Sequence, residues 1–269
     1  THHSRLAATA GARWEDISTP FILFRGDAAI THVGVIELPM ILMGHAESVG
    51  MIHGVCTRPE FRKRGYLRAV MEEVMQHCAG RYRTLLLCTN RTAPFEPFGF
   101  RRVQEFASRT PFSPTMGTQV FRPLDWEDPL DVRIITDRLH LREPLSRVVG
   151  VLDTPGVFVL TEIRRRLYYT EDLDLVISME LENTTLKLFD VVGHSMCSLD
   201  EILRRLRHPI DHVLFQFCPD RFNVETAPEP CTLQNSGQDI GAAGPSLLMV
   251  WGKFEPEGEP FMLPRTARC

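Results

Sequence analysis

The chain has 269 residues, 43% of them hydrophobic and 24% charged, enough for one large or two ordinary globular domains with a sizeable core. Its net charge of −4 argues against general nucleic-acid binding, which requires a strongly basic balance. The longest apolar candidate, VGVIELPMILMG, is short and interrupted by Glu37 and Pro39, so no membrane helix is expected.

The opening, THHSRLAATAGARW, lacks an initiator Met and an apolar signal core, so nothing in it implies secretion and the expected compartment is the cytoplasm. From Pro20 the pattern reads strand, turn, strand: FILFRGD is followed by AAITHVGVIELPMILMG, with RGD read as hairpin chemistry. ESVGMIHGVCT, rich in β-branched and apolar residues, is a third strand, stopped at Arg58-Pro59. A helix is predicted from about Gly65 to Ala79, because Leu67, Val70, Met71, Val74, Met75 and Cys78 make one apolar stripe and Gly80 stands where a helix ends. TLLLCT, Thr84 to Thr89, is a short continuous apolar run, the pattern of a strand covered on both faces.

Beyond FEPFGFRRVQEFA the chain becomes rich in Pro, and Ser113 to Asp131 reads as a crossing between halves. In the second half, LYYTEDLDLVISMELENTTLKLFDVV gives three strand-like runs. SLDEILRRL carries a capping pattern, Ser198 followed three residues later by Glu201. HVLFQF and LLMVWGKF are further strands, and APEPCTLQNSGQDIGAAGP between them is expected to be a mobile loop. Seven cysteines, an odd number with no C-x-x-C spacing, predict neither a disulfide framework nor a zinc site; Cys56, Cys78, Cys88 and Cys218 lie in apolar runs where a thiol acts as a small hydrophobe.

The junction VCTRPEFRKRGYLRAVM places Arg62, Lys63 and Arg64 directly before Gly65 and the predicted helix. Unpaired N–H groups and the macrodipole at a helix start favour an anion, and a glycine lets it approach the backbone. Arg62 and Arg64 add forked donors suited to phosphate and Lys63 adds a point charge, so a pyrophosphate fits. With a single glycine, the loop matches neither a P-loop nor a dinucleotide fingerprint.

These residues resemble the acyl-CoA loop of the GNAT superfamily of N-acetyltransferases, whose pattern runs Gln or Arg, two residues, Gly, one residue, then Gly or Ala. Arg62 and Gly65 match it; Leu67 stands where Gly or Ala is usual. TLLLCTNRTAPFEPFGFRRV resembles the next strand and the G-F element that closes the family's cofactor site. The resemblance implies that the backbone of Val55, Cys56 and Thr57 pairs with the pantetheine arm. It further implies that Gly65, Tyr66 and Leu67 offer amides to the pyrophosphate, and that Asn90 joins the site.

The long second half makes the chain similar to the tandem acetyltransferases of the enhanced-intracellular-survival type, without their sterol-carrier-like domain. The expected fold is therefore α/β, an α+β mixed sheet in two tandem GNAT-like domains. The first spans 1–125, carries the acyl-CoA site and has an abbreviated N-terminal part; the second spans 126–269 and lacks the cofactor loop. Acetyl-CoA is the implied acyl donor and a small-molecule primary amine the implied acceptor, with no metal and with a homo-oligomer left open. A non-catalytic acyl-CoA-binding or regulatory protein is the alternative.

Such transfer needs a base for the amine, which is mostly protonated at neutral pH, and benefits from an acid for the departing thiolate. The family commonly places a Tyr four residues before the Gly of the G-F element; here that position is Phe95, which has no hydroxyl. Glu96 is the adjacent candidate donor. His53, on the strand entering the site, is the first candidate base, because imidazole titrates near neutrality. A strand histidine can equally be packed without chemical work, and Glu37 and Glu47 are further candidates.

Overall fold

The computed structural model describes every residue except 1, 116, 119, 141, 153, 236–243 and 269. Two short helices, α1 (His2–Thr9) and α2 (Trp14–Ile17), lead into an antiparallel meander of β1 (Ser18–Arg25), β2 (Ala28–Leu42) and β3 (His45–Thr57). Both hairpins close in two residues. Gly26 takes φ 59°, and the Met43-Gly44 turn takes φ 48° and 84°, the positive values that match the twist of the flanking strands. The helix read at Gly65–Ala79 is α3 (Tyr66–Cys78), whose buried Val70, Met71, Val74 and Cys78 cover β1 to β3. β4 (Thr84–Thr89) runs parallel to β3, as expected of a strand that returns through a crossover helix.

The chain then leaves the first sheet. A short β5 (Arg101–Arg102) precedes β6 (Glu105–Thr115), which pairs in the second sheet instead. β7 (Arg122–Pro123) and α4 (Pro129–Leu139) follow, the helix started by Asp128 accepting from the Leu130 amide at 2.9 Å with Pro129 in its first turn. β8 (Val149–Val151) extends the first sheet on the far half of β2, and α5 (Pro155–Glu162) buries Phe158 and Val159 with α1's Ala7 and α4's Ile135.

The three runs read in the second half are β9 (Leu167–Thr170), β10 (Leu175–Glu182) and β11 (Thr185–Val192), all antiparallel. After α6 (Leu199–Leu203), β12 (Ile210–Phe215) runs parallel to β11. This strand-helix-strand crossover mirrors β3, α3 and β4.

The expected loop is corrected in part. β13 (Ala227–Cys231) pairs with β6, and β14 (Leu233–Asn235) pairs with the last strand, β15 (Gly244–Gly252); residues 236–243 lie outside the described residues. β15 does not stay in the second half. It pairs along β4, Leu247 with Thr89 through Gly252 with Thr84. One sheet is thus ordered β1-β2-β3-β4-β15-β14 and the other β13-β6-β12-β11-β10-β9-β7. Each half lends strands to the other's sheet, β6 and β7 in one direction and β8, β14 and β15 in the other, which no composition shift at the 125/126 connection reveals.

Candidate active site

β3 and β4 touch only through Gly50–Ile52 and Leu85–Leu87. Beyond the Ile52–Leu87 pair they part. β3 carries on to Thr57 with its other edge on β2, and a register shift between His32 and Gly34 marks a bulge opposite, where Gly54 takes φ 59°. The edge of β3 facing the gap is left open for an added strand. Cys56, expected inside an apolar run, is therefore exposed: it sits on the open arm.

The gap leads to the start of α3. Gly65 caps that helix at φ 84° with no side-chain hydrogen bond, so the amides of the first turn have no cap. α6 makes the contrast. Its Ser198–Glu201 pair forms a complete capping box, Ser198 Oγ accepting from the Glu201 amide and the Glu201 carboxylate accepting from the Ser198 amide at 2.8 Å. A helix start already satisfied and acidic repels an anion; one that is bare and basic attracts it.

A cavity of about 1800 Å³ runs from this junction along the gap and under the second sheet. Val55, Cys56, Thr57, Arg62, Lys63, Gly65, Tyr66, Leu67 and Asn90 line it, so the structure brings these residues to one cavity. Arg64 does not line it; its guanidinium lies over the Phe61 ring, 5.8 Å from the centroid. Arg68, one helical turn on, lines it instead, a placement the sequence pattern does not announce. Arg62 Nε donates to the Thr57 carbonyl at 3.0 Å, tying the loop to the end of the open arm.

His53 stands at the fork. It is buried, stacks on Trp14 with ring centroids 5.1 Å apart, and shares a hydrogen bond with Ser18 Oγ at 2.6 Å through Nε2. Burial, with His32 nearby adding to it, pushes its pKa down to about 4. The ring is neutral at pH 7. Gly34 makes the site possible, since a Cβ there would collide with His53 Nε2. Trp14, Ser18 and Gly34 are distant in sequence and carry no motif, so only the strand register reveals them.

The other candidates are placed elsewhere. Glu96 is exposed, accepts from Thr92 Oγ1 at 2.9 Å and does not line the cavity, because the short helical turn at Glu96–Phe98 faces Pro97 and Phe98 to the wall instead. Glu37 accepts from Ser48 at 2.8 Å and Tyr82 at 3.3 Å, and neither Glu37 nor Glu47 lines the cavity. Phe95 does line it, buried against Phe100. From the second half, the wall receives Arg165, Glu180, Glu182, Lys187, Phe189 and Arg265 among others.

Among the described residues no helix is long and apolar enough to cross a membrane, and no group of three His, Cys, Asp or Glu side chains gathers at a metal-binding distance. Residues 8–103 match the family model for the acetyltransferase (GNAT) domain. No curated protein matches the sequence. Among solved structures, a probable N-acyltransferase from Enterococcus faecalis V583 is similar in fold at 10% identity and a TM-score of 0.52, covering 87% of this chain and 62% of its own. Eis1 from Mycobacterium abscessus is similar at 15% identity and a TM-score of 0.50, covering 92% of this chain and 70% of its own. The chain thus spans about three-fifths of the first structure's length.

Proposed function

From a chain that carries a GNAT acetyltransferase domain over residues 8–103, we propose an acyl-CoA-dependent N-acetyltransferase that acetylates a small-molecule primary amine. The observation that carries this reading is the open fork between β3 and β4 running onto an uncapped, cation-flanked helix start. An extended pantetheine arm fits the unpaired edge of Val55 to Thr57, and the residues at the α3 start suit a pyrophosphate: bare amides from Gly65 to Leu67, with Arg62, Lys63 and Arg68 lining the same cavity. We assign the acyl-CoA site to a domain of residues 1–125 and the acceptor-side wall to a second of residues 126–269, each completed by strands of the other.

Acetyl-CoA supplies an activated thioester. The chain's own groups then have three tasks. The open backbone of the β3 arm presents N–H groups that polarise a carbonyl laid along it. His53 and Ser18, joined through Nε2, form a neutral pair that passes the amine's proton toward solvent; an imidazole with a pKa near 4 relays a proton and does not hold it. The second half supplies Phe189, Arg165 and Glu180 to the cavity wall, where an acceptor amine meets an aromatic face and a carboxylate.

Phe95 favours a second reading, a protein that binds acyl-CoA without turning it over, since its ring has no proton to give where the family uses a hydroxyl. A panel of amines mixed with acetyl-CoA separates the two. Transfer releases free thiol in proportion to amine consumed; a protein that binds acetyl-CoA and releases none with any amine is a binding protein.

A further inference from the structure

Cleaving a thioester C–S bond leaves an electron pair on sulfur, and the Phe95 ring offers it nothing. Since β3 and β4 part after the Ile52–Leu87 pair, His53 and Cys88 are the first residues of the two arms. Both line the cavity. Against Cys88 lies a cation from the other end of the chain: Arg268 Nη1 is 3.8 Å from Cys88 Sγ, and Arg268 is itself part of the cavity wall, its side chain 7% exposed.

The rest of that guanidinium is firmly held. Nη2 donates to the carboxylate of Glu105, itself buried on β6, and Nε donates to the Leu263 carbonyl at 3.1 Å. The Leu263 amide donates to the same Glu105 oxygen at 2.9 Å. Nη2 also approaches Met262 Sδ at 3.7 Å. Nη1 differs: its contact is a thiol, a weak acceptor, at long range. Burial pushes the Cys88 thiol up to about 11, so it stays neutral and gives Nη1 only a weak acceptor, while Glu105 balances the guanidinium charge on the other side. A buried, pre-oriented donor at the fork, bonded among the described residues to a poor acceptor only, is placed to receive a better one.

Resting on the acyl-transfer reading above, we propose that Arg268 is a catalytic residue whose Nη1 carries the negative charge developing on the leaving sulfur, in place of the hydroxyl that Phe95 lacks. In the step, the amine nitrogen forms the N–C bond as the C–S bond breaks. The electron pair goes to sulfur, held as thiolate by Arg268 until it takes a proton from solvent, and the amine's proton leaves by His53 and Ser18.

The test compares two acyl donors, acetyl-CoA and the acetyl thioester of a nitro-substituted thiophenol, whose more acidic thiol needs less help to leave. The variants are Arg268→Gln, Arg268→Lys, and the double Glu105→Gln with Arg268→Gln, which leaves no uncompensated buried charge. With acetyl-CoA, kcat should fall about 100-fold in Arg268→Gln and in the double, with KM near the wild-type value, and Arg268→Lys should regain about tenfold. With the thiophenol ester the loss should shrink below about tenfold. An equal loss for both donors, or none, overturns the assignment. If the two Gln variants fail to fold by circular dichroism, the donor comparison in Arg268→Lys decides in the same way. A wild-type protein that binds acetyl-CoA yet releases no thiol with any amine refutes the transfer reading instead, so the two failures are distinct.

Discussion

At the scale of single residues, His53 shows how burial decides what a side chain does. Residue type alone nominates a histidine on the strand entering the site as a candidate base, but its environment is not legible in the sequence: Trp14 stacks on it, Ser18 bonds it, and Gly34 makes room for it. Its pKa, lowered from 6.5 to about 4, has a consequence for stability. Between these values the unfolded chain binds a proton that the folded chain refuses, so His53's contribution is complete above pH 6.5 and is lost as pH falls toward 4. The shift corresponds to on the order of 3 kcal/mol. His53→Gln should therefore flatten urea-measured stability between pH 6.5 and 4 relative to wild type; parallel curves would mean that the histidine is solvated. Gly34→Ala should displace the ring from Ser18, leaving the acetyl-CoA Kd unchanged while lowering kcat about tenfold or more if the pair relays the proton. An unaffected kcat would remove His53 from the chemistry.

The helices and strands are more legible in the sequence than the site they frame. β4 falls at Thr84–Thr89 as expected, and α3 is Tyr66–Cys78 against a reading of Gly65–Ala79, because apolar periodicity and the flanking glycines agree. The direction of individual cations was not legible. Arg64 turns to Phe61, and Arg68, hidden in the helical pattern, joins Arg62 and Lys63 on the cavity wall. Arg62→Ala and Arg68→Ala should each weaken acetyl-CoA binding about tenfold at low salt, the effect of losing one charge-assisted contact, and less at high salt. Arg64→Ala should leave affinity within about twofold, because its side chain does not line the cavity. Equal losses at all three positions would show diffuse attraction in place of a built site. Gly65 holds φ 84°, which glycine adopts freely and an L side chain does not, so Gly65→Ala should cost about 1 kcal/mol in stability.

For the molecule as a whole, the exchange of strands is what sequence patterning could not show. A run such as LLMVWGKF announces a strand, but nothing in it says that its partner is β4, more than 150 residues earlier. The same holds for β6, whose register is set by β12 and β13. Periodicity specifies faces; partners come from packing. Together with the Glu105–Arg268 ion pair, the exchange ties both halves into one unit at the fork. A fragment of residues 1–125 would lack β15 and expose the edge of Leu85–Leu87. It should be far more protease-sensitive than the full chain and should bind no acetyl-CoA, whereas a fragment that folds and binds would show the halves to be independent.

Calorimetric titration of the full chain with acetyl-CoA, with dephospho-CoA and ATP as controls, decides whether the fork and the start of α3 form an acyl-CoA site. Binding should be micromolar and acyl-CoA-selective, weakened by Arg68→Ala and not by Arg64→Ala. No binding heat at millimolar acetyl-CoA, or binding indifferent to both arginines, would rule that site out.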